Sequence, residues 1–157
     1  MRVALGSDHA GITLKNELKR AFDTETSDGA SFHTCIDVGT HTEESVDYPD
    51  FALQVAKGVA INTYDRGILV CGSGIGMSIA ANKVAGVRAA LIHDVDSARL
   101  CREHNDANVL ALAGRTLDTD TALSIVKVFL ETSFEGGRHQ RRVDRITDIE
   151  QQAEGRP

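Results

Sequence analysis

No apolar run in this 157-residue chain approaches the ~20 residues that a membrane-spanning helix requires, which excludes a helical membrane protein. Basic residues are scarce beside acidic ones, 17 against 23. The net charge of −6 argues against general nucleic-acid binding, which needs a basic face to neutralise phosphates. The three cysteines, Cys35, Cys71 and Cys101, are odd in number and lack the paired spacing of a metal site. They are read as free thiols in a reducing compartment. The opening residues, Met1-Arg2-Val3-Ala4-Leu5-Gly6, enter a strand-like segment without the pattern of a secretory leader, so the expected location is the cytoplasm. Internal repeats and low-complexity linkers are absent, and residues 1–157 are expected to form one domain. No Gly-Lys-Ser or Gly-Lys-Thr occurs, which removes a P-loop, and the first strand is not followed by the dinucleotide-binding fingerprint.

What is present is a regular alternation of strand and helix patterns, in a chain whose 41% hydrophobic content supports a core without staples. Strands are predicted at Arg2 to Ser7, Phe32 to Val38, Ile68 to Cys71, Val87 to Ile92 and Asn108 to Ala113. Between and after them come helical stripes: Leu14, Leu18, Ala21 and Phe22; Ala52, Val55, Ala56, Val59 and Ala60, with Pro49 suited to the start; and Ile79, Ala80 and Val84. Two more run from Asp94, a potential cap, to His104 and from about Asp118 to Thr132. Strands and helices in strict succession predict a three-layer α/β/α, Rossmann-like fold with a five-stranded parallel sheet. The charged segment 138–154, with Val143, Ile146 and Ile149 as a narrow seam, is read as an extra C-terminal helix that packs on a partner subunit.

In such sheets ligands sit beyond the carboxyl ends of the strands, which selects Ser7-Asp8-His9, Gly72 to Gly76, His93-Asp94 and Gly114-Arg115. The most distinctive of these follows Cys71, where Gly72, Gly74 and Gly76 alternate before a helix. These glycines are expected to supply positive φ and close backbone approach, so that N–H groups face a phosphate or an oxyanion. By itself Cys71 reads as a small buried hydrophobe, but donors at a helix start favour a thiolate and a chemical role. Cys35 and Cys101 lack that setting and are read as packing residues. A thiol phosphatase would carry an arginine six positions after its cysteine, where this chain has Met77. Asp8 and His9 are individually weak signals, open to reading as a helix cap and a surface histidine. His104, in a polar connection, suits either a turn or acid–base work near neutral pH. Arg138, Arg141, Arg142 and Arg145 form the one strongly basic cluster.

Six motifs, in this order and spacing, carry a resemblance over nearly the whole chain. They are Gly6-Ser7-Asp8-His9-Ala10-Gly11, Val46-Asp47-Tyr48-Pro49, Cys71 through Lys83, Gly86-Val87-Arg88-Ala89, His104-Asn105-Asp106-Ala107-Asn108-Val109 and Gly136-Gly137-Arg138-His139-Gln140-Arg141-Arg142. The chain resembles the type B ribose-5-phosphate isomerases, whose family also holds the subunits of galactose-6-phosphate isomerase. The resemblance implies a metal-independent, cofactor-free aldose–ketose isomerisation between ribose 5-phosphate and ribulose 5-phosphate through an enediolate. It makes Cys71 the general base, Ser73 a proton relay, and His104 the acid that opens the furanose ring. It assigns substrate binding to Asp8, His9, Asn105, the loop Gly72, Ser73, Gly74, Ile75 and Gly76, and the phosphate-binding Arg115, Arg138 and Arg142. Arg141 and Arg145 are not carried over. It also implies a homodimer or dimer of dimers with sites shared between subunits. Other sugar phosphates of six or four carbons, a non-catalytic phosphate-binding module and a thiol-nucleophile hydrolase are the alternatives.

Overall fold

The structure, a computed structural model, describes residues 1–27 and 33–154. Its elements are β1 (Arg2–Ser7), α1 (Ile12–Ser27), β2 (Thr34–Asp37), α2 (Tyr48–Ala60), β3 (Arg66–Cys71), α3 (Ile75–Ala81), β4 (Ala89–Leu91), α4 (Val95–Asn105), β5 (Val109–Ala113), α5 (Thr119–Glu131) and α6 (Gln140–Glu154). All strand pairings are parallel, in the order β2-β1-β3-β5-β4. The chain therefore has the expected three-layer α/β/α architecture.

Period-two alternation sorts the strand residues between two cores. Val3, Leu5, Ile68, Val70, Leu110 and Leu112 pack with Leu18 and Phe22 of α1, Ala98 of α4, and Ile125 and Phe129 of α5. On the opposite face Ala4, Leu69, Cys71 and Val109 meet Val55 and Val59 of α2 and Met77 and Ala81 of α3. A slip of one residue in β3 would exchange these sets, so the buried pattern fixes Cys71 on the α3 side. Asp94 and Asp118 cap α4 and α5 by accepting the backbone N–H groups of Ser97 and Thr121, and Pro49 lies in the first turn of α2. The amino ends of β4 and β5 are tied together by Asn108, whose Oδ1 accepts the Arg88 N–H at 2.8 Å.

Several local expectations are corrected. The helix after the glycine loop ends at Ala81, short of Val84, and buries Met77 and Ala81 while Ile75 and Ile79 stand exposed. A helix of two turns resting on a sheet buries only the side chains aimed at it. α1 continues past Phe22, the last residue of its predicted stripe, to Ser27, with Lys19 and Asp23 paired one turn apart at 2.6 Å. β2 starts at Thr34, and Phe32, assigned to it from sequence, lies outside the described residues. The seam on α6 is only half covered: Val143 is buried, whereas Ile149 is 66% exposed. No described helix is long and apolar enough to cross a membrane.

Candidate active site

The sheet order reverses between β1 and β3, since β1 leads outward to β2 and β3 is followed by the strands of the other half. Helices diverge to opposite faces at such a point and leave a crevice. A cleft of about 530 Å³ opens there, over the carboxyl ends of β1, β3 and β5. Asp8, His9 and Ala10 line it from β1, Cys71, Gly72, Ser73, Ile75 and Gly76 from β3, and Ala113, Arg115 and Thr116 from β5, with Tyr48 and His93 at the rim. A smaller cavity between α1 and α5, of about 250 Å³, is lined largely by apolar residues such as Leu18, Phe22 and Leu130 and lies away from the strand tips.

Cys71 ends β3 and is 5% exposed. Its Sγ accepts the backbone N–H of Gly74 at 3.1 Å. A fixed donor aimed at sulfur serves a thiolate better than a thiol. Gly74 reaches that position in the left-handed region, φ 74° and ψ −19°. The expectation of positive φ at three glycines holds at Gly74 alone. Gly76 is needed instead because a Cβ there would come within 2.6 Å of the Tyr48 ring. The first intrahelical bond of α3 runs from the Ser78 N–H to the Gly74 carbonyl, so the preceding N–H groups of Gly76 and Met77 face the loop. The Ser73 Oγ accepts the Ile75 N–H at 3.4 Å, and its O–H remains available to a ligand.

Asp8 is buried, and its Oδ1 accepts the N–H groups of Ala10 and Gly11 at 2.9 and 3.0 Å. Both donors precede α1, whose first intrahelical bond runs from the Lys15 N–H to the Gly11 carbonyl, so Asp8 holds the turn ahead of the helix and does not cap it, and the residue lines the cleft. His9 Nδ1 accepts the Val46 N–H at 3.2 Å, so a neutral His9 ring carries its proton on Nε2 and can donate it. Arg115 is tied to the loop after β3 by its own N–H to the Gly72 carbonyl at 3.2 Å, and its side chain lies across Gly72. It is the one guanidinium among the residues lining the cleft. Cys35 and Cys101 are free thiols whose pKa values burial pushes up to about 11, consistent with packing roles.

The remaining candidates do not join this group. His93 stands at the cleft before α4, and His104 lies nine helical steps beyond Val95, about 14 Å further along the axis at 1.5 Å per residue. His104, Asn105, Arg138 and Arg142 thus lie at the amino ends of the strands, on the opposite edge of the sheet. There they form a second cluster. The rings of His104 and His139 stack at 4.1 Å and 3°, and Arg138 Nε donates to His139 Nε2 at 3.2 Å. Burial, with His104 and Arg138 alongside, holds His139 below its ordinary value. Ligand atoms of His104, Glu135 and His139 lie within 4.8 Å of one another, a composition that could hold a metal ion. Arg138 occupies the Nε2 lone pair of His139, however, and positive charge beside it disfavours a cation. Sequence reasoning assigned no role to Tyr48, Thr116, His139 or Lys15. Tyr48 stood within a quoted motif, and His93 within a selected strand tip.

The ribose/galactose isomerase family model matches residues 3–146. Ribose-5-phosphate isomerase B of Escherichia coli is 46% identical over 150 residues, covering 96% of this chain and 97% of that protein. The solved structure of Clostridium thermocellum ribose-5-phosphate isomerase B superposes with a TM-score of 0.92 at 48% identity, covering 98% of this chain and 99% of that one. Ribose-5-phosphate isomerase B of Mycoplasma genitalium, solved with bound ribulose-5-phosphate, gives a TM-score of 0.88 at 42% identity, with 96% of each chain covered. With a cysteine loop at the β1/β3 crevice and this likeness over its length, the chain belongs to the ribose/galactose isomerase family.

Proposed function

We propose that this chain interconverts ribose 5-phosphate and ribulose 5-phosphate by proton transfer through an enediolate, with Cys71 as the base. The observation that carries the reading is Cys71 Sγ, held by the Gly74 N–H at 3.1 Å beneath a cleft that Asp8, His9 and Arg115 also line. The Cys71 thiolate takes the C2 proton of the open-chain aldose, and the C2–H electrons form the C1–C2 double bond as charge moves onto O1. Backbone N–H groups of the Gly72–Gly76 loop meet that charge, which is largest in the transition state and so is best served by donors already in place. The thiol then returns a proton to C1 while the Ser73 hydroxyl relays one from O2 to O1. Each step conserves protons and needs no redox partner.

In this reading His104 opens the furanose ring, Asn105 steadies the sugar, and Arg138 and Arg142 take the phosphate with Arg115. A second copy must then deliver them, since in one chain they lie at the other edge of the sheet. The exposed Ile75 and Ile79 beside the cleft, and Ile146 and Ile149 on α6, are apolar surface suited to that contact. Two guanidinium groups brought across an interface would also offset the acidic net charge of −6 for an anionic substrate. We place the protein in the cytoplasm, where its three free thiols, Cys35, Cys71 and Cys101, would stay reduced.

Metal-free protein incubated with ribose 5-phosphate tests the chemistry: ketose should form without release of inorganic phosphate, and chelator should leave the rate unchanged. Mixing inactive Cys71→Ala and His104→Gln chains under exchanging conditions tests the shared site. In an isologous dimer, half the molecules are mixed and each of those has one intact site, so about a quarter of the parental activity returns. Absence of any recovery, with subunit exchange verified, would reject the shared site. A comparison of kcat/KM across pentose, hexose and tetrose phosphates tests the sugar.

A further inference from the structure

Asp106 ends α4 directly after His104 and Asn105, and it is one of two non-glycine residues with positive φ among the described residues, at 47°. Its N–H donates to the Arg102 carbonyl and the next N–H, of Ala107, to the Cys101 carbonyl, a tight left-handed termination that glycine or asparagine would adopt at less cost. An aspartate in this conformation is explained by its carboxylate. Oδ1 accepts from Arg102 Nη1 at 2.8 Å, and Oδ2 accepts from Arg88 Nη2 at 2.9 Å. Arg88 Nε also donates to the carbonyls of Asn105 and Asp106, at 3.1 and 3.0 Å. Arg102 is 2% exposed, donates from Nε to the Thr132 carbonyl at 3.3 Å and sits over the Phe129 ring.

Two guanidinium groups thus grip the turn that follows His104, each through a different oxygen of the Asp106 carboxylate. One is anchored in the α5 core, and the other is carried by the β4 edge through the Arg88–Asn108 backbone bonds. A cap alone would need neither arginine. We propose that Asp106, clamped by Arg88 and Arg102, is a positioning residue that fixes the last turn of α4 so that His104 presents a preset donor to the furanose ring. This rests on the reading of His104 as the ring-opening acid. It assigns work to the Gly86-Val87-Arg88-Ala89 motif and to Asp106, neither of which lines the cleft.

The consequence is selective. Ribose 5-phosphate arrives mainly as a furanose and needs the acid. Ribulose 5-phosphate, with its C5 oxygen esterified, cannot close a furanose ring, so Cys71 can exchange its C1 hydrogen with solvent without His104. Positional errors near 1 Å at a catalytic group cost about 10²-fold. The test uses Asp106→Gly, which keeps the backbone conformation and removes the carboxylate, and Arg88→Gln, which leaves the buried Arg102–Asp106 pair intact and serves if the first variant folds poorly. Both are compared with His104→Gln in two assays: conversion of ribose 5-phosphate at saturation, and deuterium uptake at C1 of ribulose 5-phosphate in D2O, followed by NMR. The expected result is a fall of about 10- to 100-fold in conversion, with C1 exchange within about twofold of the parent. A proportionate fall in both assays, or in neither, while His104→Gln shows the split, overturns the positioning role alone. If His104→Gln itself shows no split, the ring-opening assignment falls and this inference with it.

Discussion

Gly74 and Gly76 occupy one motif two residues apart, yet replacing each by alanine should do opposite things. At Gly74 the backbone is left-handed, φ 74°, and a Cβ would meet Leu91 Cδ1 at 2.5 Å and the Leu112 carbonyl carbon and oxygen at 3.0 Å. The left-handed conformation costs an L-residue ~1–2 kcal/mol, and overpacking against backbone that cannot move aside adds ~1–3 kcal/mol. Gly74→Ala should therefore lose about 2–5 kcal/mol, which for a chain of this size lowers Tm by about 4–20 °C. It also displaces the N–H that donates to Cys71 Sγ, so activity falls with stability. At Gly76 the φ is ordinary and the obstacle is the Tyr48 ring, the mobile end of a side chain that is 39% exposed. Alanine inside a helix is favoured over glycine by ~0.5–1 kcal/mol, which offsets the displaced ring. Gly76→Ala should keep the parental stability and lose about tenfold or more in kcat/KM, because methyl and ring both intrude on the cleft. Urea denaturation beside steady-state kinetics on the two variants is the assay. Equal destabilisation of both, or an unchanged Gly74→Ala, would refute the distinction between a conformational glycine and a spatial one.

Cys71→Ser should fold normally and lose about 10²–10⁴-fold in kcat, the range for removing a general base; a rate within tenfold of the parent would assign the base elsewhere. The buried Lys15 side chain is 0% exposed and its Nζ holds both Asp37 oxygens, at 2.7 and 2.9 Å. Asp37→Asn leaves that ammonium without its carboxylate and should cost about 3–5 kcal/mol in urea denaturation, whereas Lys15→Met with Asp37→Leu should recover most of it. Burial, the neighbouring His104 and Arg138 hold the His139 pKa below 6.5, so on acidification the unfolded chain takes up that proton first. The stabilisation is complete above about pH 6.5 and is lost as pH falls through the lower folded value. Melting curves of the parent should therefore steepen their decline as pH falls below about 6.5, and His139→Gln should flatten that decline.

Local chemistry was enough to read the alternating elements, the capping Asp94 and the cysteine loop, because each depends on a few neighbouring residues. Asp94 sits where a helix leaves donors unpaired, and the apolar run into Cys71 suits a buried strand ending in a turn. Strand order is decided by packing of helices that lie far apart in sequence, and that order places Asp8, Cys71 and Arg115 at one crevice. The run of α4 back from the cleft carries His104, and with it Arg138, to the amino ends of the strands, so the motifs that resemble one site are split between two ends of the sheet. The reasons for individual residues are likewise spatial. Gly76 answers to Tyr48 across the cleft, and Asp106 to two arginines, one just before β4 and one on α4, so their roles follow from the fold and not only from the residues beside them.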